Sequence, residues 1–139
     1  MNSVIIKIAA LLPLLCLTSA AADNVQDISY KSKSESWTLT RTGNYLILVN
    51  CDSGSEGEFK NCGTISADGQ TFRCLDFDND NDPESDNMFK LDSPELNWGC
   101  DNDYCLFYDN KSFEVFFRGS PEIPIMTGDK TEADSCLVP

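Results

Sequence analysis

The stretch 37–49, WTLTRTGNYLILV, decides how the chain is read. Trp37-Thr38-Leu39-Thr40 alternates large apolar with small polar side chains, the period of a half-buried strand. Gly43-Asn44 punctuates a turn. Tyr45 to Val49 is a continuous apolar run with a β-branched bias, as expected of a central strand. The segment is therefore a hairpin, with its second strand ending near Cys51.

The same grammar recurs downstream. After the loop 52–58 (DSGSEGE), Phe59 to Cys62 reads as a short strand. Thr64 to Ala67 and Thr71 to Leu75 flank Asp68-Gly69, the dipeptide of a type I′ turn with positive φ at both central positions. Cys62 and Cys74 then fall within one residue of register, so a bridge across that hairpin is one of the pairings open to them. Residues 76–87 (DFDNDNDPESDN) form an acidic loop, and Met88 to Leu91 another short strand. A proline-containing turn precedes Trp98. Tyr104–Tyr108 (YCLFY) and Phe113–Arg118 (FEVFFR) are two more strands. Residues 23–36 read as a loose polar arm with one strand near Ile28–Tyr30, and the chain from Gly119 as an irregular tail anchored by Cys136. Helical periodicity is nearly absent. Seven or eight short strands with regular turn signals predict an all-β, disulfide-stapled antiparallel sandwich or barrel. Trp37, Tyr45, Phe72, Phe77, Trp98, Phe107, Phe113 and Phe117 are expected to fill its interior.

The first 22 residues carry a different signal. Lys7 precedes an apolar run from Ile8 to Leu17, and Ala20-Ala21-Ala22 supplies a small-residue cleavage site. The run is shorter than the roughly 20 apolar residues that a spanning helix needs. Residues 1–22 are thus expected to be a signal peptide, and residues 23–139 a single secreted cysteine-rich domain of 117 residues. Of the seven cysteines, Cys16 lies in the signal. The remaining six, Cys51, Cys62, Cys74, Cys100, Cys105 and Cys136, are expected to be disulfide-bonded in an oxidising compartment, with 15 pairings open.

Charge and composition exclude several functions. The chain has 10 basic and 23 acidic residues; removing residues 1–22 takes away one lysine and no acid, leaving a net charge of −14. Such a surface repels nucleic acid and anionic membranes and suits cationic partners. There is no histidine, so no Ser-His-Asp or Cys-His catalytic set and no histidine metal site. Zinc would want C-x2-C pairs, whereas the closest pair, Cys100 and Cys105, has four residues between. No glycine-rich phosphate loop is present, and no cofactor is expected.

Three local patterns remain. Asp52-Ser53-Gly54-Ser55, after the apolar run, resembles the Asp-[Ser/Thr]-Gly loop of aspartic proteases, which implies an acid-dependent hydrolase with Asp52 at its centre. No second aspartate loop or flap accompanies it, and Asn50-Cys51 stand where an apolar residue usually leads in. Asp76, Asp78, Asp80 and Asp82 alternate as calcium ligands would, but an EF-hand starting at Asp76 would need glycine and glutamate where Asn81 and Asn87 stand. Asn110-Lys111-Ser112 is an N-glycosylation sequon placed in a turn.

Signal peptide, short acidic domain, six cysteines and no catalytic set together resemble the fungal small secreted cysteine-rich proteins, many of them effector-like. Cys51 after YLILV, Cys62 after Phe59, and Cys100 and Cys105 before FEVFF also resemble the Alt a 1 β-barrel family of secreted fungal proteins. That resemblance implies Cys51–Cys62 and Cys100–Cys105 bridges, leaving Cys74–Cys136. The expectation is a secreted, extracellular, non-enzymatic protein that binds an extracellular or host protein as an effector or elicitor. The other classes in view are the Asp52 hydrolase and a structural protein of a wall or matrix.

Overall fold

The computed structural model describes residues 27–52, 60–78 and 85–137. The expected signal peptide (residues 1–22), Ser53–Ser55, Asp80 and Asp82 lie outside them. The described chain is all β: β1 (Ile28–Ser32), β2 (Glu35–Thr42), β3 (Tyr45–Asn50), β4 (Lys60–Ala67), β5 (Gln70–Asp76), β6 (Met88–Lys90), β7 (Trp98–Cys100), β8 (Tyr104–Tyr108), β9 (Ser112–Phe117) and β10 (Met126–Lys130). Eight of these close into an antiparallel barrel in the order β1-β10-β9-β8-β7-β6-β3-β2, and β4–β5 form a separate two-stranded hairpin. No described helix is long and apolar enough to cross a membrane.

An eight-stranded barrel is just wide enough for side chains to fill it. Here Tyr30, Trp37, Leu39, Leu46, Leu48, Phe89, Tyr104, Leu106, Phe113, Val115 and Met126 do so, each buried. Tyr30 meets Phe113 edge-on at 5.0 Å between ring centres and donates its hydroxyl to the Asp109 carbonyl at 2.8 Å. The lumen is a core and not a calyx.

The apolar run of β3 has two destinations. Leu46 and Leu48 point into the barrel, while Ile47 and Val49 point outward and pack with Ala67 and Phe72 of the β4–β5 hairpin. The hairpin is thus a lid over the outside of β3. At its tip, Asp68 and Gly69 adopt φ of +51° and +81°, as the Asp-Gly turn requires. Its attachment runs through Asn87, which is fully buried. The Asn87 side chain accepts the Leu75 N–H at 2.9 Å and donates to the carbonyls of Leu48 (3.0 Å) and Arg73 (2.9 Å). One amide therefore joins β3 to β5.

Three expectations need correction. First, the tail is not irregular throughout: β10 pairs with both β9 and β1 and closes the barrel. Its sequence, MTGDK, has little strand propensity, and pairing on both sides overrides this. Second, residues 28–36 of the expected loose arm form β1 and the start of β2, because β1 is held between β2 and β10. Third, the disulfides are Cys51–Cys136, Cys62–Cys74 and Cys100–Cys105. Only the last matches the pairing implied by the Alt a 1 resemblance. Cys62 and Cys74 face each other across the β4–β5 hairpin, with a register shift between Asn61 and Gly63 that absorbs the one-residue offset. That leaves Cys51, at the end of β3, for the tail; the Cys136 N–H also donates to Thr38 Oγ1 at 3.2 Å. Three bridges in a domain of this size are consistent with an extracellular protein.

Candidate functional site

Among the described residues the lumen is filled, and the larger concave surfaces lie outside it. The meander β7–β8–β9 shapes it, and two turns of one design build that meander. In Asp101-Asn102-Asp103-Tyr104, Asp101 Oδ1 accepts the N–H groups of Asp103 (2.8 Å) and Tyr104 (2.7 Å). In Asp109-Asn110-Lys111-Ser112, Asp109 Oδ1 accepts those of Lys111 (2.7 Å) and Ser112 (2.8 Å). These backbone bonds hold the Asp109 carboxyl below its ordinary range. Short polar turns of this kind suit aspartate, whose side chain imitates a backbone acceptor. The sequon residue Asn110 is exposed in the second turn. It borders a groove of about 740 Å³ that also touches Ile28, Tyr108, Lys130 and Glu132.

The chain before β7 is fixed from across the barrel. Arg41 of β2 donates to the carbonyls of Pro94 and Leu96, which holds the proline turn and sets the start of β7. Gly99 lets β7 approach β6 closely, since a Cβ there would stand 2.7 Å from the Lys90 carbonyl oxygen. The outcome is a cleft of about 600 Å³ walled by Tyr45, Trp98 and the Cys100–Cys105 bridge. Asp86, Asp92, Asp101 and Asp103 line it, with Lys90 and Arg118. Arg118 Nη1 donates to the Asp101 carbonyl at 2.8 Å.

Asp86 also belongs to a deeper cluster. Asp76, Asp78 and Asp86 bring carboxylate oxygens within 4.8 Å of one another. Asp76 and Asp86 are buried; Asp78 is exposed. Asp86 Oδ2 accepts the Phe77 N–H at 2.8 Å. Burial pushes its carboxyl up to about 7, against the opposing pull of that Phe77 bond; the charges of Asp78 and Asp101 and a hydrogen bond with Asp76 raise it further. Tyr104, buried beside the cluster, is also raised, first by burial and then by the charges of Asp78 and Asp86. Like charges this close share a proton or collect a cation, and the three carboxylates are the described residues able to hold a hard divalent ion.

Of the four alternating aspartates, Asp76 and Asp78 belong to this cluster, and Asp80 and Asp82 lie outside the described residues. The third member, Asp86, comes from the far end of the same loop, and sequence spacing does not mark it. Asn87, where an EF-hand would want glutamate, holds the hairpin instead. Asp52 lies apart from this cluster: its Oδ2 accepts the Ser36 N–H at 3.0 Å, and its own N–H donates to Asn50 Oδ1 at 2.8 Å. It clasps the open end of the β2–β3 hairpin.

The aromatic expectations divide. Trp37, Phe72, Phe77 and Phe113 are buried, and Tyr45 is half-buried. Trp98, Phe107 and Phe117 are exposed by 37%, 46% and 49%. Trp98 and Phe107 fall on outward positions of β7 and β8, and Phe117 stacks on Tyr104 at the barrel end (5.2 Å). Period-2 reading places residues on one face or the other of a strand but does not say which face is inside.

Compared with protein-family models, curated proteins and solved structures, the chain matches none.

Proposed function

We propose that this chain is a secreted, non-enzymatic binding protein, an effector or elicitor acting in host interaction, which recognises its partner with the outside of a rigid stapled barrel. The observation that carries this reading is the filled lumen: the residues facing inward are buried core, so a ligand has only exterior surface to meet. Loops and strand faces positioned by a rigid scaffold are the usual place for recognition. Export is supported by the leader-like residues 1–22 and by three bridges, and the acidic surface favours cationic partners.

Two measurements test it. The intact mass of the naturally secreted product should fit residues 23–139, with or without a glycan on Asn110, and rise by about 6 Da on reduction. A retained N-terminus or free thiols would overturn export. The purified product should then bind saturably to a host extracellular fraction. Turnover of a peptide or glycoside substrate, abolished by Asp52→Asn, would replace the binding reading with a hydrolase.

A further inference from the structure

We infer that the outer face of β7–β9 and the acidic cleft beside it form one interaction surface, whose occupant is a basic amphipathic segment of a partner protein. The inference rests on the binding reading above and names the partner's chemistry.

Strand register gathers the apolar residues on one face, with Glu114 of β9 opposite Phe107. Trp98 of β7 stands opposite Phe107 of β8, and Cys105, one outward position along, stands opposite Phe116 of β9. Ile125, 37% exposed, precedes Met126, which pairs with Val115, and so lies beside Phe116. Single exposed apolar side chains are ordinary on a protein surface; several gathered on one sheet face, as in this ridge, are not. The outward face of β3 is covered by the β4–β5 hairpin. No described element covers this one.

The ridge ends at Trp98, which also walls the cleft. At the cleft Asp92 and Asp103 are exposed beside Lys90 and Arg118, with Asp101 half-buried and Asp86 buried behind them, on a chain of 23 acidic and 10 basic residues. Apolar side chains of a partner fit the ridge, and its lysines or arginines fit the carboxylates and the indole face of Trp98. A second copy of this chain would bring the same acids to the same place, at a cost from like charges. Charge complementarity therefore selects a basic partner over self-association.

The test uses the disulfide-bonded secreted protein and three labelled synthetic peptides: one alternating leucine and lysine, its glutamate-for-lysine counterpart, and one alternating glycine and lysine. The leucine–lysine peptide should bind, weaken with salt, and lose about tenfold in affinity both in Phe107→Ser and in the exposed-site double variant Asp92→Asn/Asp103→Asn. Circular dichroism verifies the fold of each variant. Equal binding of the glutamate peptide or of the glycine–lysine peptide would overturn the inference, as would unchanged affinity in both variants or no binding at all. A dimer in sedimentation that Phe107→Ser dissociates would assign the ridge to a second copy instead. Peptide binding does not depend on where the protein is delivered. Its failure alongside capture of a host ligand would reject this surface and leave the binding reading standing.

Discussion

Gly128 of β10 lies flat against the ring of Phe113: a methyl group added at Gly128 would stand 2.2 Å from Phe113 Cε2. The ring is fully buried and also packs on Tyr30, so it has little room to retreat. Gly128→Ala should destabilise the domain by about 1–3 kcal/mol through overpacking. That is a fall of several degrees in melting temperature for a domain of this size. An unchanged thermal melt would show that the β9–β10 contact is looser than described.

Asn87 makes the second prediction. Asn87→Ala leaves the Leu75 N–H and the Leu48 and Arg73 carbonyls without their partner in a buried place. Unsatisfied buried groups cost about 1–3 kcal/mol each, so a loss of several kcal/mol is expected. Amide hydrogen exchange should rise first along β4–β5, with the barrel strands following only on global unfolding.

The third concerns pH. Asp86 has a folded-state pKa of about 7, above its ordinary 3.8. A carboxyl raised on folding binds its proton more tightly in the native state. Its contribution is fully favourable below about pH 4 and is lost as pH rises through 7. The melting temperature should therefore fall between pH 4 and pH 7.5, and Asp86→Asn should flatten that slope. A steeper slope in the variant would contradict the assignment. Calcium added at pH 7.5 tells which use the cluster has: coordination by Asp76, Asp78 and Asp86 raises the melting temperature there and not at pH 4.

The disulfides should differ in weight. They close segments of 85, 12 and 5 residues for Cys51–Cys136, Cys62–Cys74 and Cys100–Cys105. Chain-entropy arguments assign them roughly 4.5, 3 and 2 kcal/mol in that order. Paired serine substitutions, compared by denaturant unfolding, should reproduce the ranking. Loss of Cys100–Cys105 should also weaken binding of the leucine–lysine peptide, because that bridge walls the cleft.

Much of the fold was legible because its strongest signals are local. YLILV, Asp68-Gly69, YCLFY and FEVFFR each carry their own periodicity or turn chemistry, and each forms the expected element, the last shifted by one residue. β7 and β10 were not legible as strands. WGC is too short to show a period, and MTGDK is strand only because neighbours on both sides pair with it. The candidate site was half legible. The alternation from Asp76 marks an acidic loop, but spacing marks neither Asp86, at the far end of that stretch, nor Asp101, in the turn between β7 and β8. The recurring Asp-Asn turns at 101 and 109 were visible in the sequence and, read together, would have marked the meander that builds the cleft.

Barrel closure also has a consequence for synthesis. β1 is among the first described strands to emerge and pairs with β10, among the last, at Tyr30↔Lys130 and Lys31↔Asp129. During synthesis β1 and β9 therefore wait with unpaired edges until residue 130 has emerged, and non-local pairing of this kind is slow. The Cys51–Cys136 bond forms later still. A nascent chain halted between Phe117 and Met126 presents two sticky edges and an unmated Cys51, a species suited to retention by chaperones and oxidoreductases. Closure of the barrel is thereby timed by β10 and Cys136.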